Sequence, residues 1–138
     1  MYLVDTSVWI DFLRARKASH VEALKTLLEG VEIVGVAPII LQEVLQGAES
    51  EARFEKWRKY FRDLFCYVAD DPVATHVAAA QLYQQCQRKG KTPRSSNDCL
   101  IAQIAVEHGL LLLHHDRDFD VIAEVAPDLM IYQPAGNG

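Results

Sequence analysis

Cysteine is scarce in this sequence, and what there is does not pair. Its 138 residues hold 3 cysteines, Cys66, Cys86 and Cys99, widely spaced and with no Cys-x-x-Cys motif. A disulfide frame or a thiolate zinc site is therefore not expected, and a reducing cytoplasm is the expected compartment. Long apolar runs are missing as well, and none approaches the roughly 18 residues of a membrane span. The opening Met-Tyr-Leu-Val-Asp has no basic stretch ahead of an apolar one, so no secretory leader is expected. Positive charge is in short supply: 14 Lys and Arg against 19 Asp and Glu leave a net charge of −5. Such a balance does not announce a nucleic-acid binder, whose affinity usually comes from neutralising phosphates.

The composition is otherwise that of a folded chain, with 50% hydrophobic and 24% charged residues. It has no internal repeats and no low-complexity segment. This length buries a core unaided and suits one domain, expected over 1–134, with the Gly and Asn residues of 135–138 as a frayed tail. The basic residues are also grouped: 12 of the 14 fall in three clusters. These are Arg14, Arg16 and Lys17; then Arg53, Lys56, Arg58, Lys59 and Arg62; then Arg88, Lys89, Lys91 and Arg94. Each is either a solvated helix face or a local patch for an acidic partner, and charge alone does not decide.

Hydrophobic periodicity alternates between short strand-like runs and longer helical ones. Strands are expected at 2–4, 31–36, 65–69, 110–113 and 130–132. Between them come helices with clear punctuation. Thr6 or Ser7 can cap the first, Pro38 and Pro72 suit first turns, and Gly30, Gly47 and Gly109 mark ends. Continuous apolar strands alternating with helices predict a three-layer α/β sandwich with a mainly parallel central sheet. Ligands of such sheets sit beyond the carboxyl ends of the strands.

Acids occupy those positions. Asp5 ends the first strand and Asp116 follows the fourth. Glu43 shares a helix face with Ile39 and Ile40, and Asp98 lies on the inward stripe of Ile101, Ala102 and Ala105. Each has a plain alternative: Asp5 as a cap, Glu43 as a boundary residue, Asp98 as a first-turn acid favoured by the helix dipole, and one of Asp116 and Asp118 as a turn residue. Together they converge on one crevice, where clustered carboxylates repel unless a cation sits among them. Oxygen-only ligands favour Mg²⁺, with Mn²⁺ also suitable. His114 and His115 read as polar decoration of a strand end.

These residues also carry a resemblance. Leu-Val-Asp-Thr-Ser-Val-Trp-Ile-Asp-Phe at 3–12, Glu43 in its Gln-Glu-Val context, Ser96-Asn97-Asp98 with Ile101 and Ala102, and Asp116-x-Asp118-Phe119 resemble, in order and spacing, the PIN-domain family and its VapC-type toxins. The resemblance implies that Asp5, Glu43, Asp98 and Asp116 form a metal-binding, catalytic quartet, with Thr6 supporting Asp5 and Asp118 auxiliary. His114 departs from the family pattern, where a threonine is common. The implied activity is a Mg²⁺-dependent endoribonuclease acting as the toxin of a toxin–antitoxin pair, with Arg88, Lys89, Lys91 and Arg94 guiding RNA. A homodimer and a small cognate antitoxin are the implied partners. For the antitoxin the sequence offers Trp9, Phe12, Leu13, Phe54, Trp57 and Phe61, expected in part to form an exposed apolar patch. The alternatives are a catalytically silent PIN-like binding module and a receiver-like phosphoacceptor. The complete set of acids weighs against the first, and the lack of paired acids after the first strand and of a late lysine against the second.

Overall fold

The computed structural model describes residues 1–133; the tail expected at 135–138 lies outside them. Strand and helix alternate throughout: β1 (Tyr2–Val4), α1 (Thr6–Leu13), α2 (Ser19–Glu29), β2 (Val34–Val36), α3 (Pro38–Gln46), α4 (Glu51–Arg62) and β3 (Phe65–Cys66) come first. Then follow α5 (Pro72–Arg88), α6 (Ser96–His108), β4 (Leu111–Leu113), α7 (Asp118–Val125) and β5 (Met130–Ile131). The strands form one sheet in the order β3-β2-β1-β4-β5, and every pairing is parallel.

That order sets the position of the site. The chain steps outward from β1 to β2 and β3, then returns across the sheet to place β4 on the other side of β1. Right-handed crossovers therefore put α1–α4 on one face and α5–α7 on the other. The packing agrees: α1 lies on α2 and α3, and α3 on α4, while α5, α6 and α7 pack on one another. Between β1 and β4 successive connections leave in opposite directions, which opens a crevice at the carboxyl ends of these two strands. The helices punctuate as their sequences require. Pro38 and Pro72 open α3 and α5, and Gly109 closes α6 in a left-handed conformation with φ 63°.

Four strands are shorter than expected, β4 and β5 by one residue each and β2 and β3 by three. Val31 is 99% exposed, and the ladder begins only where Tyr2 meets Val34. Val31 and Glu32 belong to the crossover, while the Ile33 carbonyl accepts the Tyr2 amide at 2.9 Å where the ladder begins. At the sheet edge, β3 keeps only Phe65 and Cys66, although the Tyr67 amide still donates to the Val36 carbonyl at 2.7 Å. Tyr67 covers Gly35 so closely that a Cβ there would lie 2.4 Å from its ring.

The expected aromatic patch is mostly core. Trp9, Trp57 and Phe61 are buried together, with the Trp9 and Phe61 rings edge to face at 5.0 Å. α4 turns these rings inward against α1 and α3, leaving Phe54 and Tyr60 as its exposed aromatics. The chain thus hides more aromatic surface than its small aliphatic core residues suggested.

Candidate metal centre

Each acid reaches the crevice by a different route. Asp5 follows β1 and caps α1: its Oδ2 accepts from the Ser7 amide at 3.3 Å and the Ser7 hydroxyl at 2.7 Å. The cap is therefore Asp5 itself, not Thr6 or Ser7. Thr6 does not hold Asp5 with its hydroxyl either, since Oγ1 donates to Glu43 Oε1 at 2.7 Å. Glu43 rises from α3 and is also approached by Asn97 Nδ2, which donates to Oε2 at 3.4 Å from the first turn of α6. One carboxylate thus links both helical layers across the sheet edge.

Asp98 stands beside Asn97 in the first turn of α6, whose N-cap is Ser95. Asp116 follows β4, and its Oδ1 accepts from the Asp118 amide at 2.9 Å, steadying the first turn of α7. Asp118 is 8% exposed and is not a capping residue; the helix begins on it. Carboxylate oxygens of Asp98, Asp116 and Asp118 all lie within 4.8 Å of one another. Neither Asp116 nor Asp118 is a mere turn residue, and Asp118 is closer to the centre of the cluster than an auxiliary role implies.

Crowding raises the affinity of these acids for protons. Burial pushes Asp98 up to about 7, and the charges of Asp5, Asp116, Asp118 and Glu43 add to it. Asp5, 4% exposed, is raised to about 6 by burial, with Glu43 adding a little and the Ser7 hydrogen bonds pulling the other way. Three carboxylates this close, with Asp98 among them held near protonation at neutral pH, fit a hard divalent cation. The neighbouring thiol of Cys99 is no competing ligand: it is buried, and burial pushes it up to about 12.

The basic cluster divides. Arg94 turns into the centre, donating from Nη2 to Asp116 Oδ1 at 3.1 Å and from Nε to Asp118 Oδ2 at 3.3 Å. Its backbone amide also donates to Asp118 Oδ2, at 3.0 Å. Lys91 instead pairs with Glu124 near the far end of α7, at 3.1 Å. Arg88 and Lys89 flank a shallow cavity of about 430 Å³ beside the same glutamate. Sequence reasoning missed Ser7 and Asn97 as partners of the acids, and Arg94 as an ion-pair partner. The adjacency of Ser7 to Asp5 and of Asn97 to Asp98 was the available signal.

The two histidines are built in, not decoration. His114 Nδ1 accepts from the Asp116 amide at 3.1 Å, and burial lowers its basicity. His115 stacks on His20.

Comparison with known proteins identifies the family. The chain matches the PIN domain family over residues 2–125. It is 36% identical over 126 residues to the VapC ribonuclease Mb1587 of Mycobacterium bovis, covering 91% of this chain and 93% of that protein. Among solved structures it is similar to a chain of VapBC2 from Rickettsia felis, bound to a promoter DNA fragment. There the TM-score is 0.73 at 19% identity, over 95% of this chain and 96% of the other. A toxin–antitoxin complex from Klebsiella pneumoniae gives a TM-score of 0.59 at 20% identity, over 81% and 83% of the two chains. At those identities the two structures bear on the fold alone, whereas the sequence matches carry the family. With its parallel sheet, its acids at the β1/β4 crevice and these matches, the chain belongs to the PIN-domain family, in its VapC-type branch.

Proposed function

We propose that residues 1–134 form a single metal-dependent endoribonuclease domain, the toxin of a toxin–antitoxin pair acting on cytoplasmic RNA. The observation that carries this reading is the approach of the Asp98, Asp116 and Asp118 carboxylates to within 4.8 Å, beside Asp5 and Glu43. The ribonuclease name of the Mycobacterium bovis relative supports the reaction; the Klebsiella neighbour, similar in fold, is a toxin–antitoxin complex, the assembly proposed for this chain.

Asp5 and Asp98 are the first choice for holding Mg²⁺ (or Mn²⁺), with Asp116 and Asp118 completing the negative shell. When bound, the cation supplies Lewis acidity and charge neutralisation at the phosphodiester. Glu43, fixed by Thr6 and Asn97, orients the attacking water and is placed to accept its proton. Arg94 is exposed enough to exchange its carboxylate partners for an RNA phosphate. Arg88, Lys89 and Lys91 extend the positive path away from the centre. The protein works as a homodimer, and a small antitoxin with an arginine or lysine directed at the acids silences it. The test is cleavage of a single-stranded RNA panel with Mg²⁺ and with EDTA. Mg²⁺-dependent cleavage abolished by Asp98→Asn is the expected result, and parental cleavage by that variant refutes the assignment.

A further inference from the structure

Between β4 and Asp116 lie two histidines whose rings serve different ends. His114 is occupied, through Nδ1, by the Asp116 amide. His115 is exposed, and its ring lies flat on that of His20, with centroids 3.9 Å apart and planes at 14°. His20 is an unusual support, being only 7% exposed. Its Nε2 lies 2.6 Å from Asp11 Oδ2, and Arg16 donates to the other oxygen of Asp11 at 2.8 Å. Burial pushes the Asp11 carboxyl up, but the hydrogen bonds from His20 and Arg16 outweigh it and leave it below the usual carboxylate range.

An exposed histidine on a loop ordinarily keeps its rotamer freedom. Here one ring face rests on a buried, hydrogen-bonded partner, so the other is held out to solvent already ordered. Such a face is fit for stacking, because the ordering entropy has been met in the free protein. Its place is informative. His115 is the chain neighbour of Asp116, with Cα atoms about 3.8 Å apart, and in a nucleotide one ribose separates phosphate from base. We propose that the outward face of His115, backed by His20, is a stacking platform for an RNA base flanking the phosphate held at the acidic centre. This rests on the ribonuclease reading and adds a substrate contact to it. Every base presents a π face, and bases of single-stranded RNA are free to splay onto aromatic rings. Asp116, the next residue in the chain, belongs to the acidic cluster, so a partner that brings both a base and a cation-neutralised phosphate, as a nucleotide does, suits the two together.

The test is steady-state cleavage of a single-stranded RNA in millimolar Mg²⁺ by the parent, His115→Ala, His115→Phe and His115→Lys. His115→Ala should lose roughly ten- to a hundredfold in kcat/KM, chiefly through KM. His115→Phe should restore most of that loss and His115→Lys little, since the ring and not a charge makes the contact. Removing the base next to the cleaved bond should penalise the parent but hardly affect His115→Ala. An active parent with an unchanged His115→Ala overturns the platform and leaves the nuclease reading standing. Rescue by Lys but not Phe also overturns it, as does a His115→Ala defect confined to antitoxin affinity. A parent that cleaves no RNA in Mg²⁺ removes the ribonuclease reading and the platform with it.

Discussion

Asp98→Asn should make the metal-free protein more stable at alkaline pH and no more stable at acid pH. Burial, then the neighbouring acids, push the Asp98 carboxyl from 3.8 to about 7. The folded state therefore holds the extra proton between those values, and stability falls as pH rises through that window. Below about pH 4 both states are protonated and the penalty is absent; above about pH 7 the folded state bears an unfavourable charge that asparagine lacks. Each pH unit between the two pKa values is worth about 1.4 kcal/mol, so the limiting cost is roughly 4 kcal/mol. Asp98 is only partly buried, and solvent screening reduces the cost to roughly 1–2 kcal/mol. For a domain of this size that corresponds to a Tm rise of roughly 3–10 °C at about pH 8.

Thermal unfolding followed by circular dichroism in EDTA, from about pH 4 to pH 8, reads this directly. Millimolar Mg²⁺ should then raise the Tm of the parent far more than that of Asp98→Asn, because only the parent retains the full ligand set. The variant's advantage would shrink or reverse. An equal gain at both ends of the pH range would show that charge is not the cause. A variant less stable than the parent at about pH 8 would refute the reasoning outright.

Arg94→Gln removes the cation paired with Asp116 and Asp118; calorimetry should show Mg²⁺ binding about two- to fivefold tighter, while KM for RNA rises. Weaker Mg²⁺ binding would mean that Arg94 organises the site and does not compete for it. Gly35→Ala drives a Cβ to 2.4 Å from the Tyr67 ring and 2.8 Å from the Phe65 carbonyl oxygen, and should cost about 1–3 kcal/mol in urea unfolding. Trp57→Ala should cost roughly 3–5 kcal/mol as a core truncation, whereas Phe54→Ala, at an exposed site, should change stability by less than about 1 kcal/mol. A mild Trp57→Ala would contradict the burial of α4 against α1.

The alternation of strands and helices was legible because short continuous apolar runs give way to stretches of helical period, and Gly30, Pro38, Pro72 and Gly109 mark several of the changes. Strand limits were not. Val31 is as apolar as Val34 and Val36, and only pairing with the short β1 separates it from them. The direction of Asp98 was legible from the stripe of Ile101, Ala102 and Ala105, all fully buried. The partners of Asp5 and Glu43 were not, because Thr6 and Ser7 are chemically alike. Only the helix geometry sends one hydroxyl to Glu43 and the other back to Asp5. Arg94 read as a surface cation because its partners lie 22 and 24 residues away in sequence. His20 and His115, 95 residues apart, gave no sequence sign of meeting.

The acids come from both helical layers, so their repulsion is borne by the whole fold and not by one element. Each is relieved by a different device. Ser7 bonds shelter Asp5, Thr6 and Asn97 hold Glu43, a proton near neutrality relieves Asp98, and Arg94 neutralises Asp116 and Asp118. The last two are reversible. A proton leaves as a cation arrives, and Arg94 is joined to the acids by an exposed side chain free to swing away. The Ser7, Thr6 and Asn97 contacts need not break, because each uses part of a carboxylate and leaves lone pairs over. On the metal-dependent reading, loading the site would exchange a proton and a guanidinium for a divalent ion while the hydrogen-bonded frame stayed in place. A centre loaded in that way would be preorganised in its hydrogen-bonded frame and not in its charge.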